Sequence, residues 1–279
     1  MSTSTAPDPP STRGTSARRP TAASLRRIEP AAIGAVVFRE ATMFRRFWRS
    51  TTFSSVVEPT IYLLAFGFGF GSLVAQVAGY DYVDFVGTGI VATAVLFGSA
   101  FPGMFGTFIK RVFTKTYDAV LAAPVDTDEL VTAEALWLAL RAGCLGVVPM
   151  LVAIGFGLPP SWGMLLVPFV GMLTGFGFAL FGIWVSGIVP SIDSFGYVIS
   201  AVLTPLFLVA GTFFPIDGLP DWASTLALLN PLYHCVELVR HAVFGLQPLT
   251  DLAHVGALAV FAAAMWLLAV RRLRTRLVL

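Results

Sequence analysis

The chain has 279 residues, 56% of them hydrophobic and 12% charged, with a mean hydropathy of +0.81. A soluble domain with a charged surface is thereby excluded, and an integral membrane protein is implied. The net charge of +2 constrains little, because in such a protein the side on which basic residues lie matters more than their sum. Cys144 sits in a hydrophobic segment and Cys235 in a broken apolar stretch, so their expected depths differ and argue against a disulfide. Neither cysteine belongs to a metal-ligand spacing.

Residues 1–27 are rich in Ser, Thr, Pro, Ala and Arg, with Asp8 as the one acidic residue. They lack the apolar core of a secretory signal and cannot bury enough surface to fold alone, which predicts a solvated, disordered tail over 1–30. From Ala31 to Ser50 the pattern turns helical. Ile33, Val37, Ala41, Phe44 and Trp48 share one face, and Arg39, Thr42, Arg46 and Arg49 the other. This predicts an amphipathic helix in the membrane interface, its basic side toward anionic lipid headgroups.

Six segments are long and apolar enough to cross: about Phe53 to Val74, Phe85 to Ile109, Leu130 to Phe156, Gly163 to Ile188, Phe195 to Gly211 and Leu252 to Val270. The expected architecture is an all-α membrane protein of six transmembrane helices within residues 31–272, followed by a short tail over 273–279. Nine basic residues lie at or before Arg49, three in Lys110 to Lys115 and four in Arg271 to Arg276, all on one side of a six-crossing arrangement. The positive-inside bias then places both termini in the cytoplasm.

Between the fifth and sixth segments lies GTFFPIDGLPDWASTLALLNPLYHCVELVRHAVF, Gly211 to Phe244. Pro215, Gly218 and Pro220 punctuate its start, and Asn230-Pro231 divides the remainder into two candidate helices, Asp221 to Leu229 and Leu232 to Phe244. The longer reaches about 20 Å at 1.5 Å per residue, short of a hydrocarbon core of about 30 Å, so a re-entrant or interfacial hairpin at the outer leaflet is expected. Gly67, Gly69 and Gly71 lie inside the first segment with no strand before them and no following Lys-Ser or Lys-Thr, so they do not form a phosphate loop. The pairs Gly67/Gly71 and Gly171/Gly175 are expected to let helices approach closely.

Few residues could carry chemistry. The segment 110–129 holds a short helix, Thr116 to Ala122, stopped before Pro124, after which Asp126 and Glu129 cap the next helix. Such a helix between two spans suits contact with a partner protein. Glu58, Glu134 and Arg141 are ionisable residues within spans and must face protein or water. Glu134 and Arg141 stand about 10 Å apart along one helix, so Glu58 is the expected partner of Arg141, in a pair that fixes helix packing. His234, Glu237 and His241 share a face of the second hairpin helix with Arg240 beside them, the polar edge of an amphipathic helix rather than a metal site. No catalytic or cofactor-binding residues are assigned, and no nucleic-acid partner is expected.

These residues resemble the permease subunits of type-2 ABC exporters, in the branch of lipo-oligosaccharide (nodulation-factor) and daunorubicin-type drug-export permeases. The resemblance runs from about Val36 to Arg272. It is carried by EPTIYLLAFGFGFG from Glu58, TYDAVLAAPV from Thr116, AEALWLALRA from Ala133, LFLVAGTFFPIDGLP from Leu206 and LNPLYHCVELVRHAVFG from Leu229, in that order. It implies two permease copies, most simply a homodimer, with two ATP-binding subunits that supply ATP and Mg chemistry absent from this chain. It implies an ATPase-coupling role for Thr116, Tyr117, Asp118 and Leu121. An outer gate would be built from Phe214, Pro215, Pro231, Tyr233, His234, Glu237 and Arg240. The expected function is outward movement of an amphipathic lipid, lipid-linked oligosaccharide or drug across the plasma membrane. The alternative is a membrane enzyme acting on lipid-linked substrates through His234, Glu237 and His241.

Overall fold

The computed structural model describes residues 29–71, 73–74, 76–218 and 220–277, without the side chains of 51, 54–56, 58, 59, 68, 217 and 221–224. Residues 1–28 of the tail predicted over 1–30 therefore lie outside the described chain, and Pro30 already begins a helix. Helix α1 spans Pro30–Leu64 without a break and continues in a π-helical turn over Ala65–Phe70. A separate interfacial helix ending at Ser50 was expected. The helix instead runs on, because no proline or glycine occurs between Gly34 and Pro59 to interrupt its hydrogen-bond ladder. The buried face is also rotated from the predicted one: Val36 and Glu40 are buried, whereas Trp48 is 49% exposed.

A two-residue β-hairpin follows, β1 (Gln76–Val77) and β2 (Tyr80–Asp81), paired Gln76 to Asp81 and Val77 to Tyr80. It is the one departure from the all-α expectation among the described residues. Helix α2 (Tyr82–Phe101) is prolonged by π-helical turns over Pro102–Gly106 and Ile109–Phe113, the first of them beginning at a proline that has no N–H to continue the α ladder. Then come α3 (Thr116–Leu121), α4 (Thr127–Gly155) and α5 (Val167–Ile188), the last led in by a 3-10 turn, Trp162–Leu166. The chain returns through α6 (Phe195–Val198) and α7 (Thr204–Leu208), joined by a π turn. Helices α8 (Asp221–Leu228) and α9 (Pro231–Phe244) form the hairpin, and α10 (Pro248–Leu277) ends the described chain.

Among the described residues four helical stretches are long and apolar enough to cross a membrane: Tyr82–Phe113, Thr127–Gly155, Trp162–Ile188 and Pro248–Leu277. The expected fifth span is a shorter broken segment, Ile192–Leu208. The last helix extends at both ends beyond the expected Leu252 to Val270 and takes in most of the predicted 273–279 tail.

Contacts fix two opposite ends of the bundle. Helix α1 begins where the Glu29 N–H meets the Glu129 carboxylate (2.7 Å) at the start of α4, and Leu63 reaches Gly87 near the start of α2. Phe195 packs on Phe108 (5.6 Å between rings), whereas Leu206, further along the same segment, accepts from Asn230 of the hairpin at 2.7 Å. Helix α10 starts beside α9 and ends where Arg274 clasps Asp128 of α4 (2.6 Å). One end thus carries Lys110, Arg111 and the C-terminal arginines, and the other carries the hairpin. At the first, Arg111 donates to the Ser186 carbonyl (2.6 Å), and Arg272 and Arg276 donate to that of Gly187 (3.2 and 3.1 Å). Cations there satisfy the free carbonyls at the C-terminus of α5 and oppose its dipole.

The centre is packed through glycine. A Cβ on Gly103 would lie 2.6 Å from the Ala179 carbonyl oxygen, and one on Gly182 would lie 2.5 Å from that of Ala100, so α2 and α5 touch backbone to backbone. A Cβ on Gly171 would lie 3.1 Å from Gly143 Cα and one on Gly175 3.1 Å from Ala142 Cβ, so α5 and α4 also approach closely, as the glycine spacing predicts. The two cysteines are free, Cys235 buried and Cys144 exposed. Gly182→Val should force α2 from α5 at a cost of about 1–3 kcal/mol or more. Gly106→Ala, which meets nothing within 4 Å, should leave stability unchanged. Thermal melts of the two variants in detergent give the comparison.

Candidate functional site

Lys115, in a left-handed conformation (φ 51°), turns the chain sharply into α3. This places Tyr117 inward and leaves Asp118, Ala119 and Ala122 on the surface, with Thr116 and Leu121 half-buried at the edges. Tyr117 is fully buried, and its hydroxyl donates to the Oε2 of Glu134 on α4. The other oxygen of Glu134 accepts from Lys110 Nζ (2.8 Å) and Thr107 Oγ1 (3.4 Å). Lys110 also donates to Glu40 Oε2 on α1 (2.8 Å), and Glu40 Oε1 accepts from Arg39 (2.5 Å). Two cations and two carboxylates therefore balance within one network that ties α1, α2, α3 and α4 together.

Glu40 and Glu134 are 8% and 2% exposed, so each would carry a large desolvation cost without its cationic partner. Burial raises the Glu40 pKa, but the Lys110 and Arg39 charges outweigh it and hold the carboxyl below the ordinary range. Burial and the neighbouring Glu134 charge drive the Tyr117 phenol well above its usual value, which keeps it a hydrogen-bond donor. The start of α4 is anchored separately. Glu129 accepts from the Asp126 N–H (2.9 Å) in a capping box, as predicted, and its other oxygen holds the start of α1.

The hairpin end is organised by Arg240, 7% exposed. Its guanidinium donates to the Gly211 carbonyl (2.5 Å) and to Glu237 (2.8 Å), and lies over the Phe85 ring at 3.8 Å. Gly211 has φ 79°, where a side chain would strain the backbone, so the chain turns there and α9 pins the turn. Asn230 caps α9 through the Leu232 N–H (2.9 Å) ahead of Pro231, while its amide donates to Leu206. Tyr233 and Pro215 are half-buried, and Phe214 is exposed.

The three histidines of the chain meet here. His234 Nδ1 lies 2.7 Å from His254 Nδ1 on α10, and His241 Nδ1 lies 2.6 Å from Asp251 Oδ1 on the same helix. The predicted polar edge of α9 is therefore a seam against α10. Among the described residues no group of three or more His, Cys, Asp or Glu could hold a metal ion.

The sequence-predicted pairing of Arg141 with Glu58 falls on a side chain outside the described set. Arg141 donates to the Gly98 carbonyl (3.2 Å), and Glu134, its helix neighbour, pairs with Lys110 instead. Sequence reasoning placed Lys110 in a connector and gave no role to Glu40, Thr107, Asp251 or His254. The signal for Glu40 was present: it sits three or four residues from Val36, Val37 and Phe44 on one helix face.

With this geometry in hand, the sequence profile of the family described as ABC-2 type transporter matches residues 31–244. The chain belongs to the ABC-2 type transporter family. It is 33% identical over 236 residues to Nodulation protein J of Sinorhizobium fredii (strain NBRC 101917 / NGR234), covering 82% of this chain and 89% of that protein. Nodulation protein J of Rhizobium leguminosarum bv. trifolii is 32% identical, with 82% and 89% covered. The inner membrane transport permease YadH of Escherichia coli (strain K12) is 24% identical, with 85% and 92% covered. The family match includes both the network around Lys110 and the hairpin, so both belong to the domain of a transmembrane transport permease.

Replacing Lys110 with Met should leave the buried Glu134 carboxylate without a cation and Glu40 with Arg39 alone, and destabilise this ABC-2 chain by about 3–5 kcal/mol. Adding Glu134→Gln should recover part of the loss, and unfolding followed by tryptophan fluorescence in detergent measures both. Glu40 has a folded pKa below its unfolded one. Its contribution is therefore full above the ordinary glutamate range and is lost as pH falls through the depressed value. The melting temperature should drop on acidification below about pH 4, whereas Glu40→Gln should melt lower at pH 7 and respond less to acid.

Proposed function

We propose that this chain is the permease subunit of an ATP-driven exporter. Two copies would work with two ATP-binding subunits to move an amphipathic or hydrophobic substrate outward across the plasma membrane. Six crossings, cytoplasmic termini and an outer position for the hairpin complete the arrangement. The clustering of Lys110, Arg111, Arg272, Arg274 and Arg276 at one end of the bundle supports that orientation, since basic residues collect on the cytoplasmic side.

The observation that carries the proposal is the seating of α3. Tyr117 roots it in a buried network reaching α1, α2 and α4, while Asp118, Ala119 and Ala122 face outward beside Phe113, which is 64% exposed. A partner pressing on that outward face moves Glu134 and Lys110 with it, because the buried charges are costly to separate. Mechanical work done by an ATPase would thus enter the spans through Tyr117, Glu134 and Lys110. At the opposite end, α8 and α9 would act as the outer gate, with Arg240 holding the turn at Gly211.

The resemblance of the motifs to lipo-oligosaccharide permeases supports a lipid-linked oligosaccharide as the proposed substrate class. The proposal is tested by purifying the chain from cells that also express a candidate ATP-binding subunit. A complex in one-to-one amount is expected. Asp118→Ala with Ala122→Arg alters only the outward face of α3 and should release the ATPase while leaving the melting temperature unchanged. Retention of the ATPase by that variant would count against α3 as the docking element.

A further inference from the structure

We infer that His234 and His254 form a proton-operated latch between the hairpin helix α9 and the last helix α10, closed with one or no added proton and opened by two. The inference rests on the orientation proposed above only for the side from which the protons come. The Nδ1 atoms of the two rings are 2.7 Å apart, a hydrogen bond in which one nitrogen must donate and the other accept. His234 Nε2 lies 2.9 Å from the Leu228 carbonyl, which only accepts, so His234 carries its neutral proton on Nε2. Its Nδ1 is then the acceptor, and His254 donates from Nδ1. A first proton is accommodated when His234 becomes the donor and His254 moves its own proton to Nε2. A second proton puts N–H groups on both Nδ1 atoms and two positive rings face to face, and the bond cannot survive.

The groups around the pair set the threshold. Helix α9 brings Glu237, Arg240, His241 and Tyr233, and α10 brings Asp251. Glu237 is engaged by Arg240 (2.8 Å) and Asp251 by His241 (2.6 Å), so both carboxylates act on the pair from a distance and are already shared with another cation or ring. Helix α5 and the 3-10 turn Trp162–Leu166, which also pack on α9, carry no ionisable residue, and α2 contributes Tyr82 and Asp84 at its start. The side chain of Asp221 on α8 lies outside the described set. Burial lowers the His234 pKa, partly offset by its bond to Leu228, so protons are taken up below the ordinary histidine range. His241 bonds Asp251 and is not part of the His234–His254 bond.

The latch matters because the same seam holds the hairpin that forms the proposed gate. Leu229, 75% exposed in the connection between α8 and α9, reports on its position. The test uses the full chain carrying Leu229→Cys with Cys144→Ala, labelled with an environment-sensitive fluorophore and reconstituted in proteoliposomes. The two compartments are acidified separately with impermeant buffers. The emission should shift reversibly with a midpoint below about pH 6.5 and a slope steeper than one proton. His254→Gln, which keeps a polar partner but takes up no proton, should abolish the shift, while His241→Gln should keep it. Absence of the shift in the parent, or its persistence in His254→Gln of unchanged melting temperature, overturns the latch. A shift that follows acidification of the compartment holding the termini, and vanishes in His254→Gln, upholds the latch and overturns the proposed orientation.

Discussion

The arrangement of this ABC-2 chain depends on one buried charge balance, in which Lys110 lies between Glu40 and Glu134 while Tyr117 donates to the far oxygen of Glu134. Charges so placed are poor contributors to net stability, because desolvation cancels much of their attraction, but separating them is costly. That asymmetry suits a part that must move as a unit. Four elements distant in sequence share the network, so none can shift alone without exposing a charge to an apolar surrounding. A hydrophobic junction of the same size would hold as well and permit sliding.

The opposite end uses different physics for a related purpose. Arg240 is one buried cation tied to a carbonyl, a carboxylate and an aromatic face, and it fixes the turn at Gly211. The seam between α9 and α10 is built instead of imidazoles, whose bonding depends on protonation. One part of the hairpin is thus held under all ordinary conditions and another part conditionally. Backbone contact at Gly103 and Gly182 keeps α2 and α5 closely packed between these ends.

Much of the secondary structure was legible in the chain. The capping box at Asp126 and Glu129, the short helix at Thr116 and the division of the hairpin at Asn230-Pro231 each follow from local stereochemistry, and each is where the sequence placed it. The continuity of α1 is not legible in the same way, because its composition changes from amphipathic to uniformly apolar near Ser50, where the pattern predicts a break. Composition changes the surroundings of a helix without interrupting its hydrogen bonds. The partner of Glu134 was missed for another reason. Lys110 lies 24 residues away and past the expected end of its span, and helical spacing relates only residues three or four apart.

The sequence by itself determined that the chain is a helical membrane protein, where its capped and proline-marked helices start, and which family it resembles. These depend on hydropathy, capping and proline placement, all read within a few turns of helix. Only the tertiary structure decided which charges neutralise one another and that His254 and Asp251 complete the polar edge of α9. Pairing across a bundle depends on the rotation and depth of packed helices, set by close contacts such as Gly103 against Ala179 that no local pattern encodes.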